Sequence, residues 1–204
     1  MVSADAKAFV RAALPPAPAR VLEVGAGDGT LAALLRGAGY DVLAIDPAAE
    51  GDGVTPVALL DVDEPDGAFD AAVAMLSLHH IEPLEASCER LARLVRAGGP
   101  LVIDEIDMER VDNAAAGWWI HQRAAAGRDH PDGPGAMLAR LAGLHPLRTV
   151  LAGLAPHFAL GEPVRCAYLH RWGFEPGLRD AEEDGIAAGS LPAVGARVVG
   201  IRIG

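Results

Sequence analysis

The chain has 204 residues, 51% of them hydrophobic, and a formal net charge of −11 at pH 7. That length suits one domain with a sizeable core, and the acidic balance argues against nucleic acid or an anionic membrane as a partner. The first residues lack the pattern of a signal peptide, no run of about 20 apolar residues is present, and the two cysteines, Cys88 and Cys166, fit a reduced, cytoplasmic protein.

The first half of the chain alternates predicted strands with predicted helices. A short helix is predicted over residues 3–14, ended by the proline-rich block at 15–18. Predicted strands then cover Arg20–Val24, Asp41–Ile45, Val54–Leu59, Phe69–Met75 and Leu101–Asp104, with helices over Gly29–Ala38 and Pro83–Ala97. This alternation is typical of an α/β, Rossmann-like doubly wound sheet, mostly parallel, whose ligands bind at the carboxyl ends of the strands.

The second half of the chain breaks this rhythm. Residues 107–150 are polar and partly helical, with Trp118 and Trp119 on one predicted helix and a Pro/Gly loop at 130–135. We expect this segment to form a helical lid inserted into the fold and to determine specificity.

Three further elements are predicted after the insertion. They are a strand over Val164–Trp172, a helix over Leu178–Ala188 and an antiparallel C-terminal strand over Val194–Ile203. Tyr168 and Arg171 fall on the first of these strands and are expected to be sheet residues. The prediction is thus a single domain, 1–204, with its core in 20–106 and 151–204.

The stretch Val21–Thr30 is the most informative part of the chain. Glycine stands at Gly25, Gly27 and Gly29, between a predicted strand and a predicted helix. Such a turn lets the backbone approach a nucleotide-like ligand closely. A dinucleotide fingerprint would place a small residue where Thr30 stands, and the acid at Glu23 would repel a pyrophosphate but suit a ligand that carries positive charge.

Five motifs, in this order and spacing, resemble the class I S-adenosylmethionine-dependent methyltransferases over roughly residues 20–105. They are the glycine turn, Ala44–Pro47, Leu60–Val62, Phe69–Ile81 and Leu94–Glu105. The resemblance implies S-adenosyl-L-methionine as the cofactor and methyl transfer to a small-molecule acceptor as the function. It also agrees with a sheet that ends in an antiparallel strand.

The resemblance implies a role for individual residues as well. Glu23 would hold the cationic end of the cofactor, Asp46 would accept both ribose hydroxyls, and Asp61 would accept from the adenine amino group. The full implied set of cofactor-binding residues is Glu23, Gly25, Ala26, Gly27, Asp46, Pro47, Asp61, Val62, Met75 and Leu76.

His79, His80 and Glu105 are the candidate catalytic residues. Either histidine could be a general base, because the unperturbed pKa of histidine is about 6.5, and Glu105 could orient an acceptor. The alternatives are that the His pair packs against the cofactor or a helix, and that Asp46, Asp61 and Glu105 are ordinary turn or surface acids. No metal is expected, because the histidines lack the spacing of metal ligands.

Two other functions stay open at this point. An NAD(P)-dependent oxidoreductase would also use a glycine turn, although Thr30 and the lack of a Ser/Tyr/Lys catalytic set speak against it. A cofactor-binding protein of this fold without methyltransferase activity is the other alternative to the leading hypothesis, because the binding residues are clearer in the sequence than the catalytic ones. The expected partner is a small molecule, with no nucleic acid and no membrane, and both the methylated atom and a homodimer stay open.

Overall fold

The computed structural model describes residues 3–49, 52–128, 133–172 and 177–204, so residues 130–132 of the predicted loop at 130–135 lie outside the described residues, whereas Pro134 and Gly135 begin a helix instead of a loop. The strands are β1 Arg20–Val24, β2 Asp41–Ile45, β3 Ala71–Met75, β4 Pro100–Ile106, β5 Phe158–Leu160, β6 Val164–Cys166 and β7 Gly195–Arg202. The helices are α1 Ala4–Ala13, α2 Thr30–Gly37, α3 Leu84–Leu94, α4 Asn113–Ala125, α5 Pro134–Leu141, α6 Leu147–Leu154 and α7 Leu178–Ala187. Short 3-10 turns follow β3, at Leu78–His80, and β6, at Leu169–Trp172.

All of these strands belong to one sheet, in the order β2-β1-β3-β4-β7-β5. Strands β1 to β4 are parallel, whereas β7 runs antiparallel to β4 and pairs along its other edge with β5 and β6. The predicted Rossmann-like sheet with an antiparallel C-terminal strand is therefore confirmed. Because β1 to β4 all end at the same edge, the loops that follow them lie side by side.

Helices cover both faces of the sheet, which is why its parallel strands β1 to β4 are buried along most of their length. Leu22 and Val24 of β1 face a core built with α3 and α6, while Val21 faces a second core built with α1 and α2. A third cluster lies under α4 and α5 and includes Trp119 and Tyr168. No helix within the described ranges has the length and apolar character needed to cross a membrane.

The predicted strand Val54–Leu59 is wrong. The segment makes one isolated parallel bridge, between Ile45 and Thr55, and then enters a 3-10 turn at Leu59–Asp61. Pro56 explains the difference, because proline has no backbone N–H to donate to a neighbouring strand.

The predicted strand Val164–Trp172 pairs only over Val164–Cys166, so Tyr168 and Arg171 are not sheet residues. The backbone N–H groups of Tyr168 and Leu169 donate to the buried carboxylate of Glu182 instead of to a strand. The short strand β5 was not predicted. The predicted end of the insertion, at residue 150, falls inside α6, where Val150 and Leu154 belong to the core that contains α3.

Candidate functional site

A cleft of about 650 Å³ opens at the carboxyl ends of β1, β2 and β3. The glycine turn after β1 and the turn after β2 form one wall, and the loop after β3 forms the opposite wall. The described residues that line it are Val24, Gly25, Ile45, Asp46, Pro47, Ala48, Val57, Ala58, Leu59, Leu60, Asp61, Leu76, Ser77, His80, Ile81, Glu82 and Ser87. The cleft therefore lies where parallel α/β sheets bind their ligands.

Asp46 ties the turns after β1 and β2 together. Its Oδ2 accepts from the N–H of Gly27 at 2.9 Å, and its Oδ1 accepts from the N–H of Ala48 at 2.9 Å. Each carboxylate oxygen has a second lone pair. The same side chain can therefore hold the glycine turn in place and accept a hydrogen bond from a ligand in the cleft.

Gly25 stands where no side chain fits. Its φ is +70°, and a Cβ added there would lie 2.2 Å from Cβ of Ser77, the residue that follows Leu76 on the opposite wall. Ser77 is fixed in turn, because its hydroxyl donates to the carbonyl oxygen of Val24 at 2.7 Å. The backbone of Gly25, after β1, thus contacts the side chain of Ser77, after β3. This close contact forms the floor of the cleft.

A second cavity of about 100 Å³ adjoins the cleft and shares Gly25 and Leu76 with it. Glu23, Ala26, Asp28, Leu31, Met75 and Arg171 complete its lining. Leu76 stands between the two spaces with a φ of 59°, a left-handed conformation that costs about 1–2 kcal/mol for a residue with a side chain. Strain of this kind concentrates at functional sites.

Glu23 is a buried acid that faces this second cavity. Its relative exposure is 3%, and its Oε2 has no hydrogen-bond partner among the described residues. Burial raises the pKa of Glu23 to about 7, against the opposing effect of Arg36. The carboxyl is therefore partly protonated near neutral pH. A cationic group that entered the cavity would favour its ionised form.

The Glu23→Gln variant is expected to gain stability relative to the unmodified protein as the pH rises. Since the pKa of Glu23 is raised above its unfolded value of 4.5, its stabilising contribution is complete below pH 4.5 and is lost as the pH rises through 7. The gap between the two proteins should widen by about 1.4 kcal/mol per pH unit in that window and then level off. Urea unfolding of both proteins at pH 5, 6, 7 and 8 measures it; a constant gap would contradict the expectation.

Glu105, at the end of β4, organises the loop after β3. Its Oε1 accepts from the N–H groups of Ser77 and Leu78, at 2.9 and 2.8 Å, and its Oε2 lies 2.6 Å from Nδ1 of His79. Glu105 is 1% exposed and His79 is also buried. Neither residue is among those that line the cleft or the second cavity.

His80 has a different environment. It is exposed, it lines the cleft, and its ring centroid lies 4.2 Å from that of His79. Partial desolvation of the ring against the wall of the cleft, followed by the neighbouring His79, lowers the pKa of His80. The imidazole is therefore neutral at neutral pH and able to accept a proton.

Most of the residues predicted to bind the cofactor lie around the two spaces, with two exceptions. Gly27 borders neither, and Val62 packs into the core that contains α3. Sequence reasoning missed the apolar residues Val57 to Leu60, Ser77 and Arg171. Ser77 carried a usable signal, its place directly after a central strand; Arg171 carried none, because it reaches the site only through the turn after β6.

Metal-ligand geometry is absent from the part of the chain that the structure describes. There, no group of three or more His, Cys, Asp or Glu side chains is placed to hold a metal ion.

Solved structures share this fold across almost the whole chain. An S-adenosylmethionine-dependent methyltransferase from Mesorhizobium loti matches with a TM-score of 0.65 and 22% identity, over 98% of each chain. Geranyl diphosphate C-methyltransferase from Streptomyces coelicolor A3(2), in complex with Mg²⁺, geranyl diphosphate and S-adenosyl-L-homocysteine, matches with a TM-score of 0.60 and 15% identity, over 97% of this chain and 77% of that one. At these identities the likeness shows the fold alone.

Sequence comparison identifies the family of this chain. An uncharacterized methyltransferase from Mycobacterium tuberculosis is 39% identical over 98 residues, which are 43% of this chain and 40% of the relative. A family model described as a methyltransferase domain matches residues 2–132, a range that contains every described residue lining the cleft. The chain belongs to the methyltransferase-domain family.

Proposed function

We propose that this protein transfers the methyl group of S-adenosyl-L-methionine to a small-molecule acceptor. The observation that carries the proposal is the coincidence of the family match with the cleft, since residues 2–132 contain both walls of it. The cofactor supplies a methyl group activated on a sulfonium. The residues around the cleft bind it, orient the acceptor and exclude water, which together make in-line transfer fast.

The two adjoining spaces fit the two ends of this cofactor. Asp46 and Asp61 offer carboxylate oxygens in the larger cleft, among apolar residues suited to an adenosine. In the second cavity, the unpartnered Oε2 of Glu23 suits an ammonium group. Gly25 and Leu76 border both spaces, so the cofactor's sulfur would lie beside them.

His80 is the proposed general base for acceptors that must lose a proton. Of the three candidate catalytic residues, it is the one whose ring lines the cleft, and its lowered pKa keeps the ring unprotonated. Glu105 and His79 are proposed to support this loop from behind rather than to contact the substrate, because both are buried against each other.

The Asp46→Ala variant is expected to bind S-adenosylhomocysteine about 10- to 100-fold more weakly. It removes the ribose acceptor and frees the N–H groups of Gly27 and Ala48; charged hydrogen bonds contribute about 1.5–3 kcal/mol each, and 1.4 kcal/mol is about tenfold in affinity. Isothermal titration calorimetry measures the change. Asp41→Ala is the control, since Asp41 lies at the opposite end of β2 and faces solvent.

The same calorimetry tests the proposed function. The unmodified protein is expected to bind S-adenosylhomocysteine and not NADH or NADPH. Binding of a nicotinamide cofactor without S-adenosylhomocysteine would favour the oxidoreductase alternative. Binding of S-adenosylhomocysteine without turnover in a metabolite screen for its release would favour a cofactor-binding protein of this fold.

The proposal extends to partners and location. The net charge of −11 supports a small molecule rather than a nucleic acid as the partner. The free thiols of Cys88 and Cys166 support a reducing, cytoplasmic environment. We propose the segment 107–150 as the specificity element, because its helices α4 and α5 pack over the ends of β3 and β4 through a cluster that includes Leu76 and Ile106.

A further inference from the structure

Arg171 is a buried cation at the edge of the proposed cofactor site. Its side chain is 5% exposed, and its two terminal nitrogens donate to Oδ1 and Oδ2 of Asp104, at 2.7 and 3.0 Å. Asp104 lies in β4, directly before Glu105, and its backbone carbonyl accepts from the N–H of Leu76. Arg171 is thereby held against the strand ends that form the site.

A second buried carboxylate holds the turn that carries Arg171. Glu182 of α7 is fully buried, and its Oε1 accepts from the N–H groups of Tyr168 and Leu169 at 2.7 and 2.9 Å. Its Oε2 accepts from the N–H of His170 at 2.9 Å and lies 2.8 Å from Nδ1 of the same residue. Glu105 makes the same arrangement with the loop after β3, where it accepts from two backbone N–H groups and contacts Nδ1 of a histidine.

Arg171 retains donors that Asp104 does not use. A guanidinium has five N–H groups, and Asp104 takes two from Arg171. The Nε of Arg171 is buried without a hydrogen-bond partner among the described residues, as is Oε2 of Glu23. A buried polar group without a partner is costly, so two of them beside one small cavity point to a ligand that satisfies both.

Glu23 and Arg171 border the same cavity of about 100 Å³ but do not neutralise each other. The charged groups that act on the pKa of Glu23 are Arg36 and Asp28, not Arg171. The cavity is thus lined by a carboxylate, which is a negatively charged hydrogen-bond acceptor, and by a guanidinium, which is a positively charged hydrogen-bond donor. This pattern is complementary to a zwitterion, an ammonium and a carboxylate on one carbon.

We propose that Arg171 binds the carboxylate of the amino-acid end of the cofactor, and that Glu182 is the positioning residue that holds Arg171 in place. The inference rests on the proposed function, because the ligand must reach from the cleft past Leu76 into the second cavity. It assigns a cofactor contact to the turn after β6, far in sequence from the glycine turn and beyond the matched residues 2–132.

The test compares two ligands that differ only beyond the sulfur. S-adenosylhomocysteine carries the amino-acid end, whereas 5′-methylthioadenosine has the same nucleoside and thioether without it. Arg171→Gln is expected to weaken S-adenosylhomocysteine about tenfold or more and to leave 5′-methylthioadenosine within about twofold, because only the former loses a charged hydrogen bond. Glu182→Gln should lower the same preference by a smaller factor, since Gln cannot accept at both positions.

Arg197→Gln is the matched control. Arg197 also donates to Oδ2 of Asp104, at 3.0 Å, but it is not among the residues that line the cavity. Its replacement disturbs the same carboxylate and is expected to leave the preference for S-adenosylhomocysteine over 5′-methylthioadenosine unchanged. Arg171→Lys keeps a cation beside Asp104 and should retain part of the preference, which keeps the test usable if Arg171→Gln does not fold.

Three results would overturn the inference in distinguishable ways. If the Arg171 variants bind both ligands with the unmodified protein's preference, Arg171 does not contact the amino-acid end, and the proposed function stands. If the unmodified protein binds neither ligand, the proposed function is wrong, and this inference, which rests on it, is wrong as well. A preference lost equally in Arg197→Gln would assign the effect to the Asp104 network instead of to Arg171.

Discussion

Replacing Gly25 by alanine is expected to weaken S-adenosylhomocysteine binding by about 100-fold or more and to destabilise the protein by about 2–5 kcal/mol. The new Cβ would lie 2.2 Å from Cβ of Ser77, and φ at this position is +70°. Both the collision and the left-handed backbone must be relieved by moving the glycine turn away from the loop after β3. That movement opens the floor of the cleft. Calorimetry and urea unfolding measure the two effects.

Two controls separate the collision from the backbone conformation. Gly27 has a φ of +53° but no neighbour within 4 Å of a built Cβ, so Gly27→Ala reports the backbone cost alone, about 1–2 kcal/mol. Adding Ser77→Gly to Gly25→Ala removes the atom that is struck and should recover part of the binding. If Gly25→Ala bound S-adenosylhomocysteine as the unmodified protein does, the floor of the cleft would not be the cofactor surface.

Removal of the Glu105 side chain is expected to lower the free energy of unfolding by about 3–5 kcal/mol. Glu105→Ala leaves the buried N–H groups of Ser77 and Leu78, together with Nδ1 of His79, without an acceptor. Glu105→Gln should cost less than half as much, because its amide oxygen can still accept from both N–H groups. Urea unfolding at pH 7.5 compares the variants.

Glu109→Ala is the control for this measurement. Glu109 lies in the 3-10 turn after β4 and forms an exposed ion pair with Arg148, so its loss is expected to change stability by no more than about 0.5 kcal/mol. A Glu105→Ala variant as stable as Glu109→Ala would show that Glu105 is not the support of the loop after β3. A stable but inactive Glu105→Ala variant would return Glu105 to the list of catalytic candidates.

Much of the fold could be predicted from local patterns. Strands β1 and β2 were predicted with the bounds that the structure shows, because each is a short apolar run between strong turn signals. The prediction of a strand over Val54–Leu59 was wrong because it relied on the apolar content of the segment and neglected the missing N–H of Pro56. The prediction of a strand over Val164–Trp172 was wrong for another reason. Two of its backbone N–H groups donate to Glu182, which lies on a helix that comes later in the chain.

The glycine turn, Asp46 and Asp61 were recognisable from the sequence because their spacing reports a strand, a tight turn and the next strand of one local unit. Their positions in the folded chain agree with that reading, since Gly25, Asp46 and Asp61 all border the cleft. Which of His79 and His80 faces the cleft could not be read in the same way. Adjacent residues in a 3-10 turn point in different directions, and the choice depends on Glu105, which is 26 positions from His79.

The sequence by itself determined the class of fold, the family and the place of the glycine turn, because these depend on residue types at short, regular spacing. Only the tertiary structure decided that Val62 belongs to the core, that Glu105 supports a loop, and that Arg171 and Glu23 line the same small cavity. Those outcomes depend on contacts between residues distant in the chain, such as Arg171 with Asp104, 67 positions apart. Burial then gives these charged groups their character, since a carboxylate without water must find a donor or lose its charge.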